Sequence, residues 1–105
     1  MGVTRGRLAE PATAPATGEH TDELVRSGAT VVSHILSGEL PAPADYCQDD
    51  DEFVLVLAGA AVLEVEGRRL HLATGDWIHL PAGTAHRLVQ TRPGTGWLAV
   101  HIPPA

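Results

Sequence analysis

From Ala29 onward the chain reads almost wholly as short apolar segments broken by turn residues, a rhythm that suits strands rather than helices. Thr30–Leu36 (TVVSHIL) is β-branched and apolar and stops at Ser37-Gly38. Leu40–Ala44 (LPAPA) cannot be helix interior, because each proline lacks an N–H, and it should run as an extended edge or loop. Phe53–Leu57 (FVLVL) is a continuous apolar run, short enough for a strand buried on both faces. Ala61–Glu66 shows partial alternation, and Gly67 closes a tight hairpin into Arg68–Leu72, where Leu70 and Leu72 alternate with Arg69 and His71. Trp77–Leu80, Ala85–Gln90 and, after the turn Pro93-Gly94-Thr95-Gly96, Trp97–Ile102 complete the set. About eight short strands at this spacing predict an all-β closed barrel or two-sheet roll. Closure would also hide sheet edges that an aromatic-poor chain has little means to cover.

A length of 105 residues allows one core and no second one. Residues 1–20, rich in Ala, Pro, Thr and Gly without apolar periodicity, are expected to form a flexible N-terminal arm, and 21–105 a single domain. Within it, Thr21–Ser27 suits one helical turn, with Thr21 as N-cap and Asp22 and Glu23 near its positive end. Aromatics make up only 4% of the residues, so the core must be built from Val, Leu, Ile and Ala. A net charge of −6 disfavours nucleic acid as a partner, since phosphate contacts need clustered cations. All seven basic residues are arginine, which excludes Schiff-base lysine chemistry and a P-loop lysine. No apolar run reaches the roughly 20 residues of a membrane span. The lone Cys47, together with an amino terminus lacking an apolar stretch, leads to an expected cytoplasmic location.

The chemistry concentrates in two segments. In Gly75–Gln90 (GDWIHLPAGTAHRLVQ), His86 lies a fixed distance beyond a tight Pro81-Ala82-Gly83 turn, between two apolar segments that read as strands, so that a rigid sheet would hold the imidazole. Upstream, YCQDDDEFVLVLAG places Tyr46, Gln48 and Glu52 at even separations, which puts all three on one face if strand alternation is unbroken. Val54 and Val56 would continue that row as an apolar wall, and Cys47 would point away.

Together these segments resemble the two sequence motifs of the cupin superfamily of small β-barrels, also described as a double-stranded β-helix or jelly roll. The second motif matches in Gly75, Pro81, Gly83 and His86, with Gln90 where Asn is usual. The first matches in Glu52 and Gly59, but Tyr46 and Gln48 stand in its two histidine places. The resemblance implies that Tyr46, Gln48, Glu52 and His86 converge inside the barrel, either as ligands of a divalent metal (Zn, Fe or Mn) or as a hydrogen-bonded polar cluster. It also implies Glu52 and His86 as a catalytic acid/base pair acting on a small molecule, in an isomerase, cyclase or lyase type of reaction. The alternative is a cupin that binds a small ligand without catalysis, or that serves as a partner in a homodimer. The substitutions weigh on the metal: an amide oxygen is a weak ligand, and a phenol ligates well only when deprotonated. For His86 the competing role is that of a turn-proximal histidine donating to a carbonyl.

Other residues are lesser candidates. Asp49, Asp50 and Asp51 precede Glu52 as the one run of like charge, which suits a solvated loop at the barrel mouth; Asp50 joins the site only if the chain bulges inward there. His79 and His101 lie in expected strands, and either would restore a missing imidazole if it faced the cavity. Trp77 and Trp97 suit packing or the rim, and Arg87 and Arg92 suit solvent or an anion near the mouth. No serine stands in a nucleophile-elbow context, so no Ser-His-Asp triad is nominated.

Overall fold

Two antiparallel sheets face one another in the computed structural model, which describes residues 2–104. The strands are β1 (Glu19–Ser27), β2 (Thr30–Ser37), β3 (Ala44–Tyr46), β4 (Asp51–Ala58), β5 (Ala60–Val65), β6 (Arg68–Ala73), β7 (Trp77–Leu80), β8 (His86–Thr91) and β9 (Thr95–Ile102). One sheet runs β1-β2-β9-β4-β7 and the other β3-β8-β5-β6, so consecutive strands often change sheets. That is the jelly-roll arrangement expected for many short strands joined by tight turns. The β5–β6 hairpin turns through Glu66-Gly67, both at positive φ, as a two-residue turn requires if its twist is to match the strands.

Alternation sorts the side chains. Val54 and Val56 of β4 point between the sheets with Trp97 and Ala99 of β9, and meet Ala61, Leu63, Leu72 and Leu88 from the opposite sheet. The core is thus aliphatic around one indole, and each fully buried aliphatic side chain contributes about 1.5–3 kcal/mol. Trp97 donates its Nε1–H to Ser37 Oγ at 3.0 Å, and the Ser37 hydroxyl donates in turn to Glu19 Oε2 at 2.7 Å. Phe53, Leu55 and Leu57 are only half-buried on the outer face, so β4 is covered fully on one side, not on both as its unbroken apolar run suggests.

The helical turn expected at Thr21–Ser27 is instead strand β1, which begins within the segment read as an arm. It pairs antiparallel with β2 from Glu19↔Ser37 to Ser27↔Thr30, with one bulge between Glu23 and Val25. Every β1 residue is exposed, so no apolar face betrays the strand locally. Pairing satisfies the backbone groups on the side of this edge strand that faces β2, where a single helical turn would leave most of them open. Upstream, Pro11–Thr13 form a short 3-10 turn, and the chain then bonds across the end of β2. Gly38 N–H donates to Gly18 O at 2.8 Å, and Glu39 N–H to Ala16 O at 2.9 Å.

Candidate active site between the sheets

His86 is aimed from three directions. The Pro81–Gly83 turn closes through Thr84 N–H to Pro81 O at 3.1 Å, and is tied to the acidic segment by Gly83 N–H to Gln48 O and Ala82 N–H to Asp51 Oδ1, both 2.8 Å. The His86 Nδ1 lies 3.0 Å from Thr84 O. A carbonyl only accepts, so Nδ1 carries the proton, and Nε2 is left facing inward. The turn-serving and site-serving roles of this histidine therefore coexist: one ring nitrogen bonds the turn and the other faces the cavity. Its Nε2 is 3.7 Å from Glu52 Oε1, and the Tyr46 ring stacks on the imidazole at 5.6 Å between centroids.

Glu52 sits between two imidazoles. Its second oxygen, Oε2, lies 3.1 Å from His101 Nε2, and His101 Nδ1 lies 3.4 Å from Asp50 Oδ2. The strand register explains the approach: Glu52 of β4 pairs directly with His101 of β9, and so both side chains project to the same side. Burial pushes the Glu52 carboxyl above its ordinary range; His101 and His86 pull it back, Asp50 raises it, and the Gln48 amide lends a smaller opposing pull. Burial likewise raises the Tyr46 phenol, with Glu19 and Glu52 adding to the effect, which keeps it protonated near neutral pH. The row Asp50–His101–Glu52–His86 is a chain of groups able to hold or pass protons, of the kind general acid–base chemistry uses.

A cavity of about 260 Å³ opens beside this row. Tyr46, Gln48 and Glu52 line it, as their even spacing suggested but for a different reason, and His86 lines it with them. Tyr46 belongs to β3 in one sheet and Glu52 to β4 in the other, and the chain crosses between the sheets around Gln48. His101 lines the same cavity, as do Glu19 and Thr21 of β1 and Ser33 of β2. His79 points outward to Asp51 at 3.2 Å, and Cys47 is exposed. A wider groove of about 760 Å³ flanks Tyr46 and His86 on the solvent side; it lacks Glu52 and His101 and so lacks the proton-carrying row.

The four residues expected to ligate a metal do not form a good ligand set. Tyr46 is a neutral phenol and Gln48 a neutral amide, leaving one carboxylate and one imidazole as strong donors. Among the described residues, no group of three or more His, Cys, Asp or Glu side chains is disposed to hold a metal ion. Glu52 instead directs one oxygen at each histidine. The described residues also include no helix long and apolar enough to cross a membrane.

Comparison with known proteins agrees with the two-sheet fold. A family model for the cupin domain matches residues 31–98. The crystal structure of a protein from Ralstonia eutropha JMP134, provisionally named a mannose-6-phosphate isomerase, is similar at 31% identity and a TM-score of 0.79. That match covers 94% of this chain and all of the other. A cupin superfamily protein from Desulfitobacterium hafniense DCB-2 aligns at 17% identity and a TM-score of 0.70, over 87% of this chain and 83% of its own. KdgF from a Halomonas species aligns at 18% and 0.69, over 89% and 85%. At these lower identities the likeness is one of fold. No curated protein matches the chain in sequence.

Proposed function

This chain belongs to the cupin family, and from that premise we propose that it binds a small organic molecule between its sheets and moves a proton on it. The observation that carries the reading is the buried Glu52 with an imidazole at each oxygen, at the wall of a cavity. Glu52 and His86 are the acid/base pair, 3.7 Å apart and open to the same space. His101, held by Asp50, is the reservoir on the far side of Glu52. Tyr46 and Gln48 orient the bound molecule through a hydroxyl and an amide. Such a site suits isomerisation, in which a C–H proton is taken at one carbon and returned at another. It also suits elimination or cyclisation, in which the base takes a proton and the acid protonates the departing or attacked oxygen.

The test is incorporation of solvent deuterium, followed by proton NMR, into a panel of small cyclic ketones and unphosphorylated aldoses in D₂O. Wild type should exchange C–H protons next to a carbonyl, and His86→Ala should lose at least tenfold in rate while keeping its fold. Equal exchange in both would remove His86 from the role. The predominantly apolar lining favours one other reading, a non-catalytic ligand-binding cupin, whose signature is saturable binding without exchange. Elemental analysis checks the ligand chemistry: stoichiometric Zn, Fe or Mn in wild type, lost in His86→Ala, would overturn a metal-independent mechanism. A cytoplasmic setting is part of the same reading, since the single cysteine has no intrachain disulfide to form.

A second copy of the chain is the macromolecular partner we propose. At −6 the molecule repels itself at long range, so an uncharged contact surface favours association. Along β2 and β9, and along Phe53–Leu57 of β4, there is no Asp, Glu, Arg or Lys. Their outward residues Val32, Leu55, Leu98 and Val100 are half-buried and uncharged and lie beside the exposed Trp77 stacked on Phe53, whereas His34 and Leu36 of the same β2 row are already buried. Sedimentation velocity should show a dimer for wild type and a monomer for Val100→Glu. A monomeric wild type at about 100 μM would end the proposal.

A further inference from the structure

The chain has no lysine, and none of its arginines reaches the cavity beside Glu52. Arg87 is held on the surface by Asp45, Nε to Oδ1 2.7 Å, and Arg69 by Glu64 at 3.5 Å. Inside, the walls are apolar side chains such as Ile35, Val54, Leu63 and Leu88, and the carboxylates are Glu52 and, reaching in from β1 to buried Ser37, Glu19. Among the described residues, His86 and His101 are the only cavity groups able to become cationic. Each already faces an oxygen of Glu52, and His101 faces Asp50 as well, so a proton on either is balanced within the cluster.

From this charge arrangement we infer that the cavity accepts an uncharged, largely apolar molecule with one polar end, and rejects phosphates and carboxylates. The inference rests on the cavity being the ligand site proposed above, and it parts from the phosphorylated sugar in the name of the 31%-identical relative. An anion entering would give up its water and meet two carboxylates with no guanidinium or ammonium to receive it. A neutral hydroxyl or carbonyl needs only a hydrogen-bond partner, which Tyr46, Gln48 or the imidazoles can supply. Size agrees: about 260 Å³ falls below the roughly 300–1,000 Å³ of sites for drug-sized ligands and suits a single compact ring.

The two tryptophans make the experiment direct. Trp97 lines the cavity, whereas Trp77 is 63% exposed on the outer face, so Trp77→Phe leaves one indole that reports on the cavity. Matched probes are titrated against that protein while its fluorescence is followed: cyclohexanecarboxamide against cyclohexanecarboxylate, benzamide against benzoate, and mannose against mannose 6-phosphate. At least one uncharged member should bind at least tenfold more tightly than its anionic counterpart. The double variant Glu19→Gln/Thr21→Arg, which removes one of the lining carboxylates and adds a cation to the β1 side of the cavity, should narrow that ratio at least threefold. Anions binding as well as their neutral partners would overturn the charge selectivity but leave the ligand site standing. A ratio unchanged in the double variant would overturn its electrostatic basis. A Trp97 signal unmoved by every probe would sink the inference together with the site on which it rests.

Discussion

Gly59→Ala should lower the midpoint of thermal unfolding by roughly 10–25 °C, the loss of about 2–4 kcal/mol from a domain of this size. Gly59 stands at φ +86 in the turn between β4 and β5, where a side chain strains the backbone. A Cβ there would also lie 2.8 Å from Thr95 Cα and 2.5 Å from its Oγ1. Thr95 cannot retreat: it is fully buried, and its hydroxyl donates to Arg92 O at 2.6 Å while accepting from Ala60 N–H at 3.3 Å. Gly75 is the control. It has φ +92, but a methyl group there would meet nothing within 4 Å, so Gly75→Ala should cost only the backbone strain, about 1 kcal/mol. Differential scanning calorimetry of the two variants separates the terms. Equal losses would mean that conformation alone, and not the approach of Thr95, demands glycine at position 59.

That glycine shows how local spacing carries much of the fold. The intervals from Glu52 to Gly59 and from Gly75 to His86 encode turns and the strands beside them, features fixed within a dozen residues of chain. The inward row through Glu52, Val54 and Val56 follows from the period of two alone. β1 was not legible, because all nine of its residues are exposed and its strand character comes from pairing with β2. Hence Glu19 and Thr21, which reach the cavity from β1, left no local signal. His101 could be named only as one of two histidines able to restore an imidazole. What distinguishes it from His79 is cross-strand register: His101 pairs with the inward Glu52, His79 with the outward Phe53. Register across strands some 50 residues apart is a tertiary property, and the local pattern of either strand is silent on it.

Because Glu52 is the group on which both imidazoles converge, Glu52→Gln should have the largest chemical effect, slowing deuterium exchange by about 10²–10⁴-fold, the usual worth of a positioned acid or base. Glutamine keeps the shape and much of the hydrogen bonding, so the fold should persist. Its stability should even exceed wild type over part of the pH range. Burial raises the Glu52 pKa in the folded chain above the ordinary value of 4.5, so the folded state holds this proton more tightly than the unfolded state does. The resulting stabilisation is fully present below the ordinary carboxylate range and is lost as pH rises through the raised folded value. Glutamine does not titrate, so the melting temperature of Glu52→Gln should gain on wild type as pH rises from about 4 toward 8, and the two should converge in acid. Thermal melts across that range decide the matter. A wild type that gains on the variant with rising pH would show that His86 and His101 hold Glu52 charged more strongly than burial opposes it. Glu52 would then be a fixed counter-ion for the two imidazoles, and the moving proton would belong to a histidine.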